Sequence, residues 1–146
     1  MIYSRSAEYA IRSLVYLARI PEGKFAMARH IAEEEQIPAY FLAKILQELT
    51  RKGLLRSNKG PSGGFCLRVP ASQIRLLDLV EALDGPALAE SLDEATWILD
   101  SWRDLHSRIM DYLERNTIAD VVKALESKKA AAGKSKRGKR AANKKN

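Results

Sequence analysis

Gly53-Leu54-Leu55-Arg56-Ser57-Asn58-Lys59-Gly60-Pro61-Ser62-Gly63-Gly64-Phe65-Cys66-Leu67-Arg68 is the stretch on which the fold turns. Two short runs, Leu54 to Ser57 and Phe65 to Arg68, flank a tip that holds three glycines and a proline in seven residues. Such a pattern reads as a pair of antiparallel strands around a glycine-rich turn. Glycines at the tip permit backbone conformations and close approaches that larger side chains obstruct, which leaves Lys59 and Ser62 free to touch a phosphate. Taken alone the tip reads first as a plain hairpin turn, and only the order of elements around it favours the phosphate contact. It is not a nucleotide-binding phosphate loop, because no Gly-Lys-Ser/Thr follows at the required spacing.

Upstream of the hairpin the apolar spacing becomes helical. Residues 39 to 52 carry a stripe of Phe41 or Leu42, Ile45, Leu46 and Leu49, with Arg51 and Lys52 in the last turn and Gly53 as the stop. Residues 27 to 35 predict a shorter helix ending in Glu33-Glu34-Glu35, separated from the next by Ile37-Pro38. Residues 6 to 19 place Ala7, Ala10, Ile11, Leu14, Val15, Leu17 and Ala18 on one face before Pro21 and Gly23 end the pattern. Helix, short helix, basic helix and glycine-rich hairpin is the order of a winged helix-turn-helix, whose second short helix enters the DNA major groove. The fold class expected is mainly α with a small β-hairpin.

Downstream, Leu76, Leu79, Val80 and Leu83 predict a short helix over 75 to 83, ended by Asp84-Gly85-Pro86. From 92 to 116, Ala95, Leu99, Trp102, Leu105 or His106, Ile109 and Leu113 keep three-to-four spacing, a helix about 37 Å long at 1.5 Å per residue. So long an apolar seam has few partners within a small domain, so it is read as a dimerisation helix, the alternative being a core helix. Its interface residues would be Leu99, Trp102, Leu105, Ile109 and Leu113. Thr117 and Asp120 form a short version of a capping box ahead of Ile118, Val121, Val122 and Leu125, a short closing helix. Residues 127 to 146 lack apolar periodicity, and their like charges repel one another, so they are expected to form a disordered arm. The expected division is 1–84, a winged helix-turn-helix domain; 85–126, the dimerisation and closing helices; and 127–146, the arm.

The chain has 146 residues, 46% hydrophobic and 29% charged, enough for one domain with a real core. Its net charge of +7 is unevenly spread. Residues 1 to 75 hold 12 basic and 6 acidic side chains, residues 76 to 126 hold 4 and 12, and residues 127 to 146 hold 9 and none. A basic first half suggests a polyanion-facing surface, with the acidic half turned away or paired with something else. A single cysteine, Cys66, supplies neither an intramolecular disulfide nor the set of about four ligands that a cysteine-based metal site needs. Its use fits a reducing compartment, and the short apolar runs fit a cytoplasmic protein without membrane contact. No Ser/His/Asp or Cys/His arrangement, paired carboxylate motif or HExxH is visible, and His30 and His106 stand alone, so an enzyme is not expected.

Residues 1 to 125 resemble the IscR/NsrR-type bacterial winged-helix transcriptional regulators. The wing, Lys59-Gly60-Pro61-Ser62-Gly63-Gly64-Phe65 after Gly53-Leu54-Leu55, is similar to that family's Arg-Gly-Pro-Gly-Gly-Gly-Tyr stretch after its Gly-Leu pair. Tyr9-Ala10, Ile37 to Leu46, Trp102-Arg103-Asp104-Leu105 and Thr117-Ile118-Ala119-Asp120 support the match. The resemblance implies a homodimer on a roughly palindromic double-stranded DNA operator. Base-reading positions would fall at Pro38, Ala39, Tyr40, Ala43 and Lys44, and wing contacts at Lys59, Gly60, Pro61, Ser62 and Gly63. Ala43 stands where relatives can carry an acidic residue that selects bases, so the operator should differ from theirs.

Many members of that family hold an iron-sulfur cluster on three cysteines before the long helix. Residues 84 to 98 contain neither cysteine nor histidine, and by alignment on Trp102 the resemblance places Leu99 where some relatives carry a histidine near the start of that helix. Glu8 aligns with a position where some relatives supply a carboxylate ligand, but without cysteines it reads as part of a solvated face. No cluster, cofactor or metal is expected. The expected function is a dimeric, sequence-specific DNA-binding regulator, a repressor. An effector, if there is one, would be a small molecule between the wing domain and the long helix or a protein partner. Two rivals remain: a sequence-tolerant nucleoid-associated protein driven by the basic arm, and a protein-interaction module that has lost DNA binding.

Overall fold

A computed structural model describes residues 4–85 and 100–142. Helix α1 (Arg5–Arg19) begins at Ser4, whose hydroxyl oxygen accepts a hydrogen bond from the Ala7 N–H at 3.1 Å. It buries Ala7, Ala10, Leu14, Val15 and Leu17 and packs against most of the other elements. One polar side chain, Ser13, is buried with them, and its hydroxyl donates to the Tyr9 carbonyl at 2.7 Å, which satisfies it without a partner outside the helix.

The helix-turn-helix follows as α2 (Ala28–Glu35) and α3 (Ala39–Arg51). Between them Gln36 adopts the left-handed conformation at φ 53°, and the Ile37 N–H donates to the Ala32 carbonyl at 2.9 Å. This closes the end of α2, and Pro38 then presets the entry into α3. Leu42, Ile45, Leu46 and Leu49 are the buried stripe of α3, so Leu42 and not Phe41 faces the core. Arg12 ties α1 to the end of α2: it donates to the Glu35 carbonyl and lies 3.5 Å from the Glu35 carboxylate. A cation there also meets the negative end of the α2 dipole.

Strands β1 (Leu55–Asn58) and β2 (Gly64–Leu67) form the expected antiparallel hairpin, with Leu55 opposite Leu67 and Asn58 opposite Gly64. A further pairing, unmarked by any local pattern, joins the hairpin to the body. Ala26 and Phe65 exchange backbone hydrogen bonds at 2.8 and 2.9 Å, which fastens the wing to the chain just ahead of α2. A 3₁₀ turn (Ala71–Gln73) leads to α4 (Leu76–Asp84), where the Asp78 carboxylate accepts from the Arg75 N–H at 2.9 Å. At the far end of α4, Asp84 accepts from the Ser4 N–H at 3.0 Å, joining the starts and ends of two packed helices.

Helix α5 runs Asp100–Arg115 and α6 runs Ile118–Ala142. The expected start of the long helix, residues 92 to 99, lies outside the described residues. Leu113 and Ile118 join the same core as Leu14, Ile74 and Leu79, and backbone bonds from Leu76 to Asn116 and from Ile118 to Ile74, both 2.9 Å, lock the two halves together. Through residue 142 the expected short closing helix and disordered arm are instead one helix of 25 residues, and the rest of the expected arm, 143–146, lies outside the described residues. Apolar periodicity decides which face of a helix packs, not whether the backbone is helical. Alanine, lysine and arginine, which dominate residues 128 to 142, are among the strongest helix formers. No helix among the described residues is long and apolar enough to cross a membrane.

The box that opens α6 is built as the sequence suggests. Asp120 accepts from the Thr117 N–H at 2.8 Å and hydroxyl at 2.9 Å, and these bonds hold its carboxyl below the ordinary aspartate range. A group whose pKa is depressed by folding stabilises the fold above its unfolded pKa and loses that effect as pH falls through the folded one. Acid titration followed by circular dichroism should therefore show a component with a midpoint below the usual aspartate value. That component should be missing in Asp120→Asn.

Candidate nucleic-acid interface

The first turn of α3 stands clear of the core. Pro38, Ala39 and Tyr40 are exposed, Tyr40 by 68%, while Ala43 is half-buried one turn later. Lys44 is exposed and its Nζ sits 4.4 Å from the centroid of the Tyr40 ring. A lysine held over an aromatic face keeps its charge but loses some of its freedom, which orients a donor for a base edge or a phosphate. Phe41, 54% exposed, meets Tyr40 edge-on at 6.0 Å. Its exposure was hidden in the sequence, because Phe41 and Leu42 suit the buried stripe almost equally.

Side-chain caps distinguish α2 and α3 from α1 and α6. Ser4, Asp78 and the Thr117–Asp120 pair satisfy N-terminal N–H groups of α1, α4 and α6 or tie down the residue before them. Neither Met27 before α2 nor Pro38 before α3 supplies a side-chain cap. Their N-terminal N–H groups and positive dipole ends remain available to an anion.

In the wing, Lys59, Gly60, Pro61 and Ser62 are exposed. Gly63 is not: it is buried and donates its N–H to the Gly60 carbonyl at 3.0 Å. Its expected role as a surface contact is corrected to a role in shape. A Cβ at Gly63 would stand 2.3 Å from the Asn58 carbonyl oxygen, so only glycine closes this turn. Arg51 does not present a free charge, since it pairs with Glu48 through a 3.1 Å Nε bond and a second, shorter one, which together hold that carboxyl below its ordinary range.

The expected dimer residues separate into three groups. Leu99 and the Trp102 side chain lie outside the described residues. Leu105 is 43% exposed and Ile109 is half-buried. Leu113 is 7% exposed and belongs to the chain's own core, so its assignment is corrected. The seam was counted at regular spacing, but packing on α4 turns Leu113 inward and leaves Tyr112, which the sequence reading missed, 60% exposed. Ile11, Leu76, Val80, Ile109 and Tyr112 line an apolar cavity of about 360 Å³ on this side, with Arg108 at its edge.

A family profile described as Rrf2, an iron-dependent transcriptional regulator, matches residues 3–124. The chain belongs to the Rrf2 family. It is thus a helix-turn-helix transcriptional regulator and not an enzyme. A Mycobacterium tuberculosis protein described as an HTH-type transcriptional regulator is 35% identical over 131 residues, covering 83% of this chain and 81% of that one. The solved structure of Staphylococcus aureus CymR superposes with a TM-score of 0.69 at 29% identity, over 82% of this chain and 96% of the other. IscR of T. potens shares the fold, with a TM-score of 0.71 at 24% identity, over 85% and 88% of the two chains.

The family description names iron, and the donors of this chain do not fit a cysteine-ligated cluster. Cys66, the only cysteine in the sequence, is buried in β2, where its sulfur accepts from the Arg56 guanidinium at 3.7 Å. Glu8 is exposed and lies 3.8 Å from Arg12. Among the described residues no three His, Cys, Asp or Glu side chains converge on a metal site.

Proposed function

We propose that this Rrf2 protein is a cytoplasmic, homodimeric repressor without an iron-sulfur cluster, which reads a roughly palindromic DNA operator in a sequence-specific manner. The observation that carries the reading is the exposed Tyr40–Lys44 pair on the first turns of an uncapped α3, in a motif whose wing is fastened beside the start of α2. Uncapped helix ends and Lys59 supply sequence-independent attraction to phosphates, and Tyr40 and Lys44 supply groups able to reach base edges. A two-fold dimer places two such helices one helical turn apart or a multiple of it. Ala43, small and half-buried, offers no hydrogen-bonding group of its own, so Lys44 carries the polar reading on this turn.

Single substitutions separate the two kinds of contact. Lys44→Ala should reduce the preference for operator over scrambled DNA by about 1 to 3 kcal/mol if Lys44 reads a base. Lys59→Ala should weaken both duplexes alike and lower the log-log salt slope by about 0.9, the effect of one phosphate contact. Fluorescence anisotropy across a salt series measures both. An unchanged preference in Lys44→Ala would remove that residue from base reading. Repression is checked with a reporter: deletion of the gene should raise expression from the bound promoter, and a fall would contradict the sign.

A further inference from the structure

Helix α6 continues past the last residue that packs on the body. Ile118 is buried and Val121 and Val122 are half-buried, whereas every residue from 123 to 141 is exposed. Between 127 and 142 the chain has seven basic residues, no acidic one and no apolar side chain larger than alanine. This segment also lies beyond the family match, which ends at residue 124.

The cations are not spread evenly around the helix. At 100° per residue, Lys128, Lys129, Lys136, Lys139 and Arg140 fall within an arc of about 120°, and Lys134 and Arg137 lie off it. The stripe spans about 18 Å along the axis at 1.5 Å per residue, and that length of duplex carries roughly ten phosphates. None of the ion pairs among the described residues involves a stripe residue. We propose that this face of α6 is a second DNA-binding element, which lies along the phosphate backbone outside the bases read by α3 and adds affinity without adding specificity.

The chemistry favours a duplex over the other polyanions. An anionic membrane surface is held by a helix with Trp, Phe or Leu opposite its cations, and this segment has none of them. An operator bound by the body tethers α6 to the same duplex, so a contact with it forms at high effective concentration. This step rests on the operator-binding function proposed above.

The test uses the full chain, with Lys128, Lys129, Lys136, Lys139 and Arg140 all changed to Gln, a replacement that keeps helix propensity while removing charge. Binding to the operator and to a scrambled duplex of equal length is followed from low to high salt. The log-log slope should fall by several units on both duplexes, at about 0.9 for each phosphate released, while the ratio of the two affinities stays constant. A fall of less than about 0.9, one phosphate's worth, would overturn the proposal. Lys136→Gln/Arg140→Gln should lower the slope more than Lys134→Gln/Arg137→Gln, and equal effects would overturn the one-sided contact. Binding of anionic lipid vesicles lost in the five-residue variant, with its DNA slope unchanged, would point to a membrane and overturn the proposal too. Loss of operator preference in the unaltered protein would instead count against the repressor function, because the slope comparison can still be made on any duplex.

Discussion

Gly64→Ala should lower the unfolding free energy of the full chain by about 2 to 4 kcal/mol and remove most of its operator affinity. Gly64 has φ +133°, a region that residues with a Cβ rarely enter, and an added Cβ would stand 2.3 Å from the Ala26 carbonyl oxygen and 2.5 Å from its carbon. Both contacts are with backbone, so no side-chain rotation relieves them. Relief requires breaking the Ala26–Phe65 pair, the link that holds the wing beside the start of α2. Urea unfolding measures the stability and anisotropy the binding. Ser62→Ala, at an exposed position of the same tip, should leave stability within about 0.5 kcal/mol. A Gly64→Ala protein as stable as the original would mean that the wing is not fastened in this way.

Leu105→Glu combined with Tyr112→Glu should convert the proposed dimer to monomer and weaken operator binding by about 10²- to 10⁴-fold, the advantage lost when two half-sites are no longer engaged by one linked molecule. Leu105 and Tyr112 are large and exposed on α5, and Tyr112 borders the apolar cavity between α1, α4 and α5. In a two-fold interface each substitution appears twice, so four carboxylates would be buried beside Asp104, Asp111 and Glu114 of the same helix. Exposure of both residues means that the monomer should stay folded, which circular dichroism checks. Sedimentation equilibrium reads the assembly state directly. A variant that remains dimeric would move the interface away from this side of α5.

The contrast between these two regions shows what the sequence made legible. α1 to α4 and the hairpin are readable because each buries a stripe with a strong period and ends at a proline, a glycine or a cap that acts locally. The glycine-rich tip was readable as a turn, but the separate duties of its glycines were not. Gly63 and Gly64 are required by carbonyls at Asn58 and Ala26, and the second of these is remote in the chain. In α3 the choice between Phe41 and Leu42 depended on the rotation of the helix, which packing on α1 sets.

α5 and α6 were less readable for related reasons. Regular spacing put Leu113 in the same class as Leu105, although contact with α4 turns one into the core and leaves the other in solvent. The continuation of α6 had no apolar period to announce it. Its alanines and basic residues favour helix by propensity alone, and the arrangement of cations on one side follows from the helix, not from any motif. Of the candidate DNA contacts, the exposed positions of α3 and the wing came from pattern and resemblance together. The absence of side-chain caps on α2 and α3 became meaningful only beside the capped starts of α1 and α6.

The central claim, reading of a specific operator through α3 and the wing, is tested most directly by selecting bound duplexes from a random-sequence pool with the full-length protein. Enrichment of one inverted repeat is expected, with half-sites one helical turn or a multiple apart, and with loss of base preference within the half-sites in Lys44→Ala. Recovery of duplexes with no shared sequence, at an affinity that Lys44→Ala leaves unchanged, would contradict it.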